Sequence, residues 1–159
     1  MKYIFLFVLT IIVFSACELS YTDVSKSEKI DKQKLLDLVN NLRAKGCNCG
    51  GTVMPPTEKL KWDYELERAA IAHSIDMNEQ NYFSHTSLDG ASFADRINGT
   101  NYTGSPSGEN IAVGYKNEED VFNGWKNSPG HCKNMMNSGH TDISVGRSAD
   151  YWTMNFGKK

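Results

Sequence analysis

Two runs near the C-terminal end constrain the fold most. Ile143 and Val145 alternate with Ser144 and Gly146, and Trp152, Met154 and Phe156 alternate with Thr153 and Asn155. Successive side chains of a strand point to opposite faces, so each run reads as a strand with one apolar face. Ser148-Ala149-Asp150 joins them as an antiparallel hairpin. Helices upstream supply matching apolar stripes. Leu35, Leu38, Val39 and Leu42 recur at i, i+3, i+4 and i+7, and Gly46 ends that helix by taking a left-handed conformation. Leu66, Ala69, Ala70, His73 and Met77 share one face of a second helix capped by Asp63. With no repeat and no second core, helices around a small antiparallel sheet give a single α+β domain.

Shorter elements lie between these. Cys47-Asn48-Cys49-Gly50-Gly51 and Met54-Pro55-Pro56 read as loop, because paired glycines and prolines break regular structure. Phe83 is expected to anchor in the core while His85 turns to a surface or cleft. Ser92 and Asp95 have capping-box spacing and open a short helix that ends at Gly99. Residues 100–108 read as loop and 110–115 as a strand, which puts Glu109 at a strand end. Asn117 caps a helix with acids in its first turn and Val121, Phe122 and Trp125 facing inward. Ser128-Pro129 starts another helix, with Ser128 as N-cap and His131 in the first turn, where the helix dipole opposes protonation of the imidazole.

The N-terminus reads as a targeting segment. Lys2 precedes an apolar run over residues 3–14, and Ser15-Ala16 stand directly before Cys17. This resembles the lipobox of bacterial lipoproteins, with Phe14 where Leu is usual. Residues 1–16 are expected to be a lipoprotein signal peptide, Cys17 the lipidated residue, 17–28 a polar tether and 29–159 the domain. The chain is then exported and anchored to a bacterial membrane, with the domain periplasmic or extracellular. A formal net charge of −2 and dispersed Lys and Arg exclude a nucleic-acid partner of the ordinary basic type.

Chemistry concentrates in residues 83–131. Phe83-Ser84-His85-Thr86-Ser87, Gly108-Glu109-Asn110 and Ser128-Pro129-Gly130-His131 bring two imidazoles and a carboxylate from three separate segments, a set able to hold a proton or a metal. His73, on an apolar stripe, reads as structural. Together with Leu60-Lys61-Trp62, Ile111-Ala112, Trp125 and Tyr151-Trp152-Thr153, these motifs resemble the CAP superfamily of cysteine-rich secretory, antigen 5 and pathogenesis-related proteins, in its bacterial SCP-like branch. The resemblance covers residues 35–157. It implies a three-layer α-β-α sandwich with a central cleft lined by two histidines and two acids, which in several members binds a divalent cation such as zinc. His85 matches the first histidine, Glu109 the first acid and His131 the second histidine. The segment where the family places a second acid reads Trp125-Lys126-Asn127-Ser128, without a carboxylate.

The expected function is therefore binding: a tethered module whose cleft takes a divalent metal on His85, Glu109 and His131, and with it a lipid, peptide or glycan. The alternative is a hydrolase working through Glu109 and metal-activated water, or through Ser128 with His131 as base. Against it, the chain has neither His-Glu-x-x-His nor Gly-x-Ser-x-Gly. With Cys17 lipidated, Cys47, Cys49 and Cys132 remain, an odd number. Cys47 and Cys49 joined to each other would make a strained ring, so a disulfide from Cys132 to one of them is expected. Three reduced thiols, or a metal held by all three, are the alternatives.

Overall fold

A computed structural model describes residues 26–159. The leader, Cys17 and most of the expected tether lie outside the described residues. The last part of that tether is bound to the domain: Glu28 N–H donates to Arg147 O, and Lys26 pairs with Glu79.

In chain order the elements are α1 (Lys32–Lys45), β1 (Cys47–Cys49), β2 (Thr52–Met54), β3 (Lys61–Trp62), α2 (Tyr64–Glu79), α3 (Phe93–Asn98), β4 (Ser105–Val113), α4 (Glu118–Asn127), α5 (Pro129–Met135), β5 (Asp142–Ser148) and β6 (Tyr151–Lys158). β1 and β2 form a separate hairpin, and the main sheet runs β3-β5-β6-β4. Its strands pair antiparallel except the short β3, which is parallel to β5. The C-terminal hairpin is as expected, with Ala149 taking positive φ at its turn.

The alternation of β5 and β6 decides the layering. Ile143, Val145, Trp152, Met154 and Phe156 share a core with Leu35, Val39, Val121, Phe122, Trp125 and Met135 from α1, α4 and α5. The opposite face carries the small and polar residues, and it too is buried, under α2. Ser74 Oγ donates to Thr153 Oγ1, and Asn155 Nδ2 to Leu66 O. α3 joins this second layer through Ile97, which packs with Leu66 and Ala69. The result is an α+β fold with helices on both faces of one sheet.

The small residues on the α2 face set the helix-to-sheet spacing. A Cβ on Gly146 would lie 2.2 Å from Ile71 N and 2.4 Å from Ala70 C, both backbone atoms. Neither can yield without moving the helix. Gly146→Ala is therefore expected to destabilise the fold by about 1–3 kcal/mol, the usual cost of overpacking, measurable by urea unfolding. Loss of under about half a kcal/mol, the range of a neutral surface change, would contradict this packing.

Three local expectations are corrected. The cysteine loop is a hairpin: Gly50 and Gly51 both take positive φ, so the paired glycines form the turn rather than break the strands. Phe83 does not anchor in the core but is 50% exposed. Its neighbour Tyr82 holds the chain instead, donating its hydroxyl to Asp76 and meeting His73 edge-on. β4 starts at Ser105 rather than after Gly108, because its small polar residues pair with the end of β6. Glu109 is thus in mid-strand.

Candidate functional site: a carboxylate shared by a histidine and an arginine

His85 follows α2 in the loop leading to α3, Glu109 lies on β4, and His131 is the third residue of α5. The β4 residue holds the first of these directly. His85 Nδ1 lies 2.7 Å from Glu109 Oε1. A carboxylate only accepts, so Nδ1 carries the proton and Nε2 is the ring nitrogen left for another partner. The Glu109 side chain is 1% exposed and that of His85 53%. The carboxylate is a buried support for a ring that faces outward.

The second carboxylate oxygen is also engaged, by a residue the sequence reading did not single out. Arg96 Nη2 donates to Glu109 Oε2 at 2.7 Å and to His85 O at 3.0 Å. Its Nη1 donates to Ser87 Oγ and Ala91 O. One guanidinium therefore neutralises Glu109 and gathers residues 85–91 around it. The capping box of α3, present as expected through Ser92 and Asp95, fixes the helix that carries Arg96. The signal in the sequence was an arginine inside a capped helix one residue before Ile97.

His73 secures the same loop from below, with Nε2 2.9 Å from Ser84 O. The oxygen is an acceptor, so Nε2 carries the proton. Burial first, then the positive charge of Arg96, pushes the pKa of His73 down. Its structural reading holds.

His131 is half-buried, and its pKa is also lowered. The direction is the expected one, but the causes are burial and then the neighbouring charge of His85. Ser128 makes no side-chain cap bond to α5, so its assignment as a side-chain cap is corrected. The turn is held from the sheet instead: Asn110 Nδ2 donates to His131 O, and Asn134 Nδ2 donates to Asn110 Oδ1 and Glu109 O.

Asn134 connects the site to a second buried histidine. With both of its described amide donations spent on Asn110 and Glu109, its Oδ1 accepts from His140 Nε2 at 3.0 Å. That leaves His140 Nδ1 to accept from Ser107 Oγ at 2.7 Å. His140 is 3% exposed and stacks on Phe156 at 4.6 Å. Burial, and then the charge of Arg43, pushes its pKa down to about 4. Ser107 falls at the irregularity between Pro106 and Gly108 in the β4–β6 ladder, where an extra residue re-aims the side chain. Among the described hydrogen bonds, the serine hydroxyl paired with an imidazole is Ser107, not Ser128.

A groove of ≈570 Å³ opens beside these residues, lined by Pro55, Pro56, Glu109, His131, Lys133 and Asn134 among others. His85, Glu109 and His131 do not all bring donor atoms within 4.8 Å of one another; among the described residues that convergence is found for Cys47, Cys49 and Cys132. There Cys49 and Cys132 form a disulfide with Cα atoms 5.5 Å apart, and Cys47 is a free thiol. The expected tie from Cys132 to the first hairpin is therefore present, to Cys49, and the reading with three reduced thiols is set aside. No helix among the described residues is long and apolar enough to cross a membrane.

Comparison with known proteins agrees with this architecture. Residues 36–156 match the model of the cysteine-rich secretory protein family, CAP. The chain is 37% identical over 134 residues to the uncharacterized membrane protein YlbC of Bacillus subtilis (strain 168), covering 84% of this chain and 36% of that protein. It is 34% identical over 137 residues to YkwD of the same organism, covering 85% and 50%. The chain thus spans half or less of the curated relatives it matches. An SCP-domain extracellular protein from Bacillus anthracis superposes with a TM-score of 0.71 at 34% identity, over 80% of this chain and 40% of that one. An outer surface protein of Borrelia burgdorferi superposes with a TM-score of 0.64 at 25% identity, over 84% and 98%. With the family pattern spanning its whole helix-sheet-helix body, the chain belongs to the cysteine-rich secretory protein (CAP) family.

Proposed function

We propose that the domain is an exported binding module whose cleft takes a divalent cation such as zinc on the two imidazoles of His85 and His131. The observation that carries this is the Glu109 hydrogen bond to His85 Nδ1, which occupies that nitrogen and leaves Nε2 as the one open to a ligand. A carboxylate in that position orients a ligating histidine and raises its basicity. Glu109, expected as a third ligand, acts here as the support, because its oxygens are already taken by His85 and Arg96. His131, whose pKa is lowered first by burial, supplies the second donor. A cation bound by two imidazoles keeps open positions for an oxygen donor of a further ligand lying in the adjoining groove.

The hydrolytic alternative draws less support from the same geometry. The Glu109 side chain is buried with both oxygens hydrogen-bonded, away from a water that it would have to activate, and Ser128 is not the serine held by an imidazole. Ser107 is, but a His140 held at about 4 is a weak base near neutrality.

Calorimetric zinc titration tests the binding reading. One equivalent is expected to bind the parent, and His85→Ala and His131→Ala are each expected to weaken it at least roughly tenfold, the usual consequence of losing a ligand or its support. No binding by the parent, or equal binding by all three proteins, would overturn it.

The anchor belongs to the same proposal. Exported relatives and the Ser15-Ala16-Cys17 pattern support a lipid on Cys17, which would hold the module at a membrane surface. Cys17→Ser is expected to abolish fatty-acid labelling of the full chain; unchanged labelling rules the anchor out.

A further inference from the structure

The three-cysteine cluster is not used by the cleft, and its geometry is reactive. Cys47 Sγ lies 3.6 Å from Cys49 Sγ and 3.7 Å from Cys132 Sγ, so a free thiol sits astride an existing disulfide. Cys47 and Cys49 are two residues apart on β1 and so project to the same side, toward α5. Gly50, at the turn, packs against Pro129 at the start of α5, which holds the hairpin against that helix. Cys49 and Cys132 are buried, whereas Cys47 is partly open to solvent.

We propose that Cys47, Cys49 and Cys132 form an internal thiol–disulfide exchange site, in which the Cys47 thiolate displaces Cys49 from Cys132. The Cys47 sulfur donates an electron pair to Cys132 Sγ, the Cys49–Cys132 bond breaks, and its electron pair leaves on Cys49 Sγ. The proton lost by Cys47 ends, through solvent, on Cys49. One disulfide and one thiol enter, and one of each leaves, so neither oxidant nor reductant is consumed. Attack on Cys49 is the less productive direction. Residues i and i+2 of a strand are about 6.4–6.8 Å apart, at the far limit of disulfide span.

The thiol lies beside the disulfide rather than on its axis, so the reaction waits on a side-chain rotation that brings the three sulfurs into line. Burial raises the pKa of the Cys47 thiol, and the charge of Lys126 only partly offsets this. Acid removes the thiolate that drives the exchange, so quenching holds each bonded form for mapping. The consequence of exchange is mechanical. Cys132 follows His131 on α5, and moving its bond from Cys49 to Cys47 re-anchors that helix two residues along β1. The free thiol simultaneously passes from a partly open position to a buried one.

The test uses the native full-length protein, held at pH 8, quenched at intervals in acidic denaturant that exposes every thiol, alkylated there with maleimide and mapped without reduction. The expected result is a Cys47–Cys132 peptide pair accompanied by alkylated Cys49, rising to more than about a tenth of the molecules, the share for isomers within tenfold of each other. Alkylating Cys47 in the native protein beforehand should suppress that pair. Label confined to Cys47 at every time overturns the proposal. So does joint labelling of Cys49 and Cys132 without a Cys47–Cys132 pair, since that reports reduction rather than exchange.

Discussion

Arg96→Ala is expected to destabilise the domain by about 3–5 kcal/mol, the cost of leaving a buried charge without its partner. The Arg96 side chain is 11% exposed and the carboxylate it neutralises 1%. Its loss leaves the Glu109 charge with only the His85 hydrogen bond and also removes the donors that hold His85 O, Ser87 Oγ and Ala91 O. The loop carrying His85 should loosen with the rest. Adding Glu109→Gln to the same chain removes the orphaned charge, so the double variant should recover a large part of the loss. Urea unfolding of the parent, the two single variants and the double variant measures this directly. A single-variant loss below about 1 kcal/mol, the range of an exposed ion pair, would show that the bond is solvated and that Glu109 is not buried as described.

The second large effect is with pH. His140 has its pKa held at about 4 in the folded chain, against 6.5 for the free side chain. The folded form thus refuses a proton that the unfolded chain accepts. Stability from the neutral imidazole is present above about pH 6.5 and is lost as pH falls toward 4. Its size is on the order of 3 kcal/mol, from 1.36 kcal/mol per pKa unit. His73 and His131, also lowered, act in the same direction. His140→Gln removes one titrating group while keeping polar atoms near Ser107 and Asn134. The variant should be less stable than the parent near neutrality, and the gap should close as the solution is acidified. Thermal unfolding of both proteins from pH 7.5 to 4.5 checks it. A gap constant across that range would mean that His140 is not kept neutral.

The elements most legible in the sequence were those whose apolar period has one reading. Leu35, Val39 and Leu42 on α1, and Trp152, Met154 and Phe156 on β6, are buried as their spacing requires. Capping chemistry was equally readable at Asp63, Ser92 and Asn117, each of which accepts from backbone amides of its own helix. Where local composition and tertiary context disagree, the sequence misled. Gly50-Gly51 is a break in isolation but a hairpin turn when α5 packs against it. Ser105 to Glu109 lacks any apolar pattern because its partners are polar: Ser107 pairs with His140, and Glu109 with Arg96, His85 and Asn134. Phe83 is apolar yet exposed, a fact no periodicity encodes.

The candidate site was half legible. His85 and Glu109 were matched by motif and are in direct contact, and His131 lies on the expected first turn of its helix. What stayed hidden was the partner of the carboxylate. Arg96 sits 13 residues before Glu109 on a different element, and only the fold brings its guanidinium to the second oxygen. That contact engages the second carboxylate oxygen, which is why Glu109 is proposed as a support for His85 rather than as a metal ligand. His140 and Ser107 were invisible for the same reason, since 33 residues separate them in the chain.

The central claim is that Glu109 holds the proton of His85 on Nδ1 so that Nε2 faces a cation shared with His131. Nitrogen-15 NMR of the histidine rings during zinc addition tests it most directly. The expected result is that His85 Nε2 and one ring nitrogen of His131 move to metal-bound positions while His85 Nδ1 stays protonated. Ring signals unmoved at saturating zinc, or zinc on His85 Nδ1, would contradict the account.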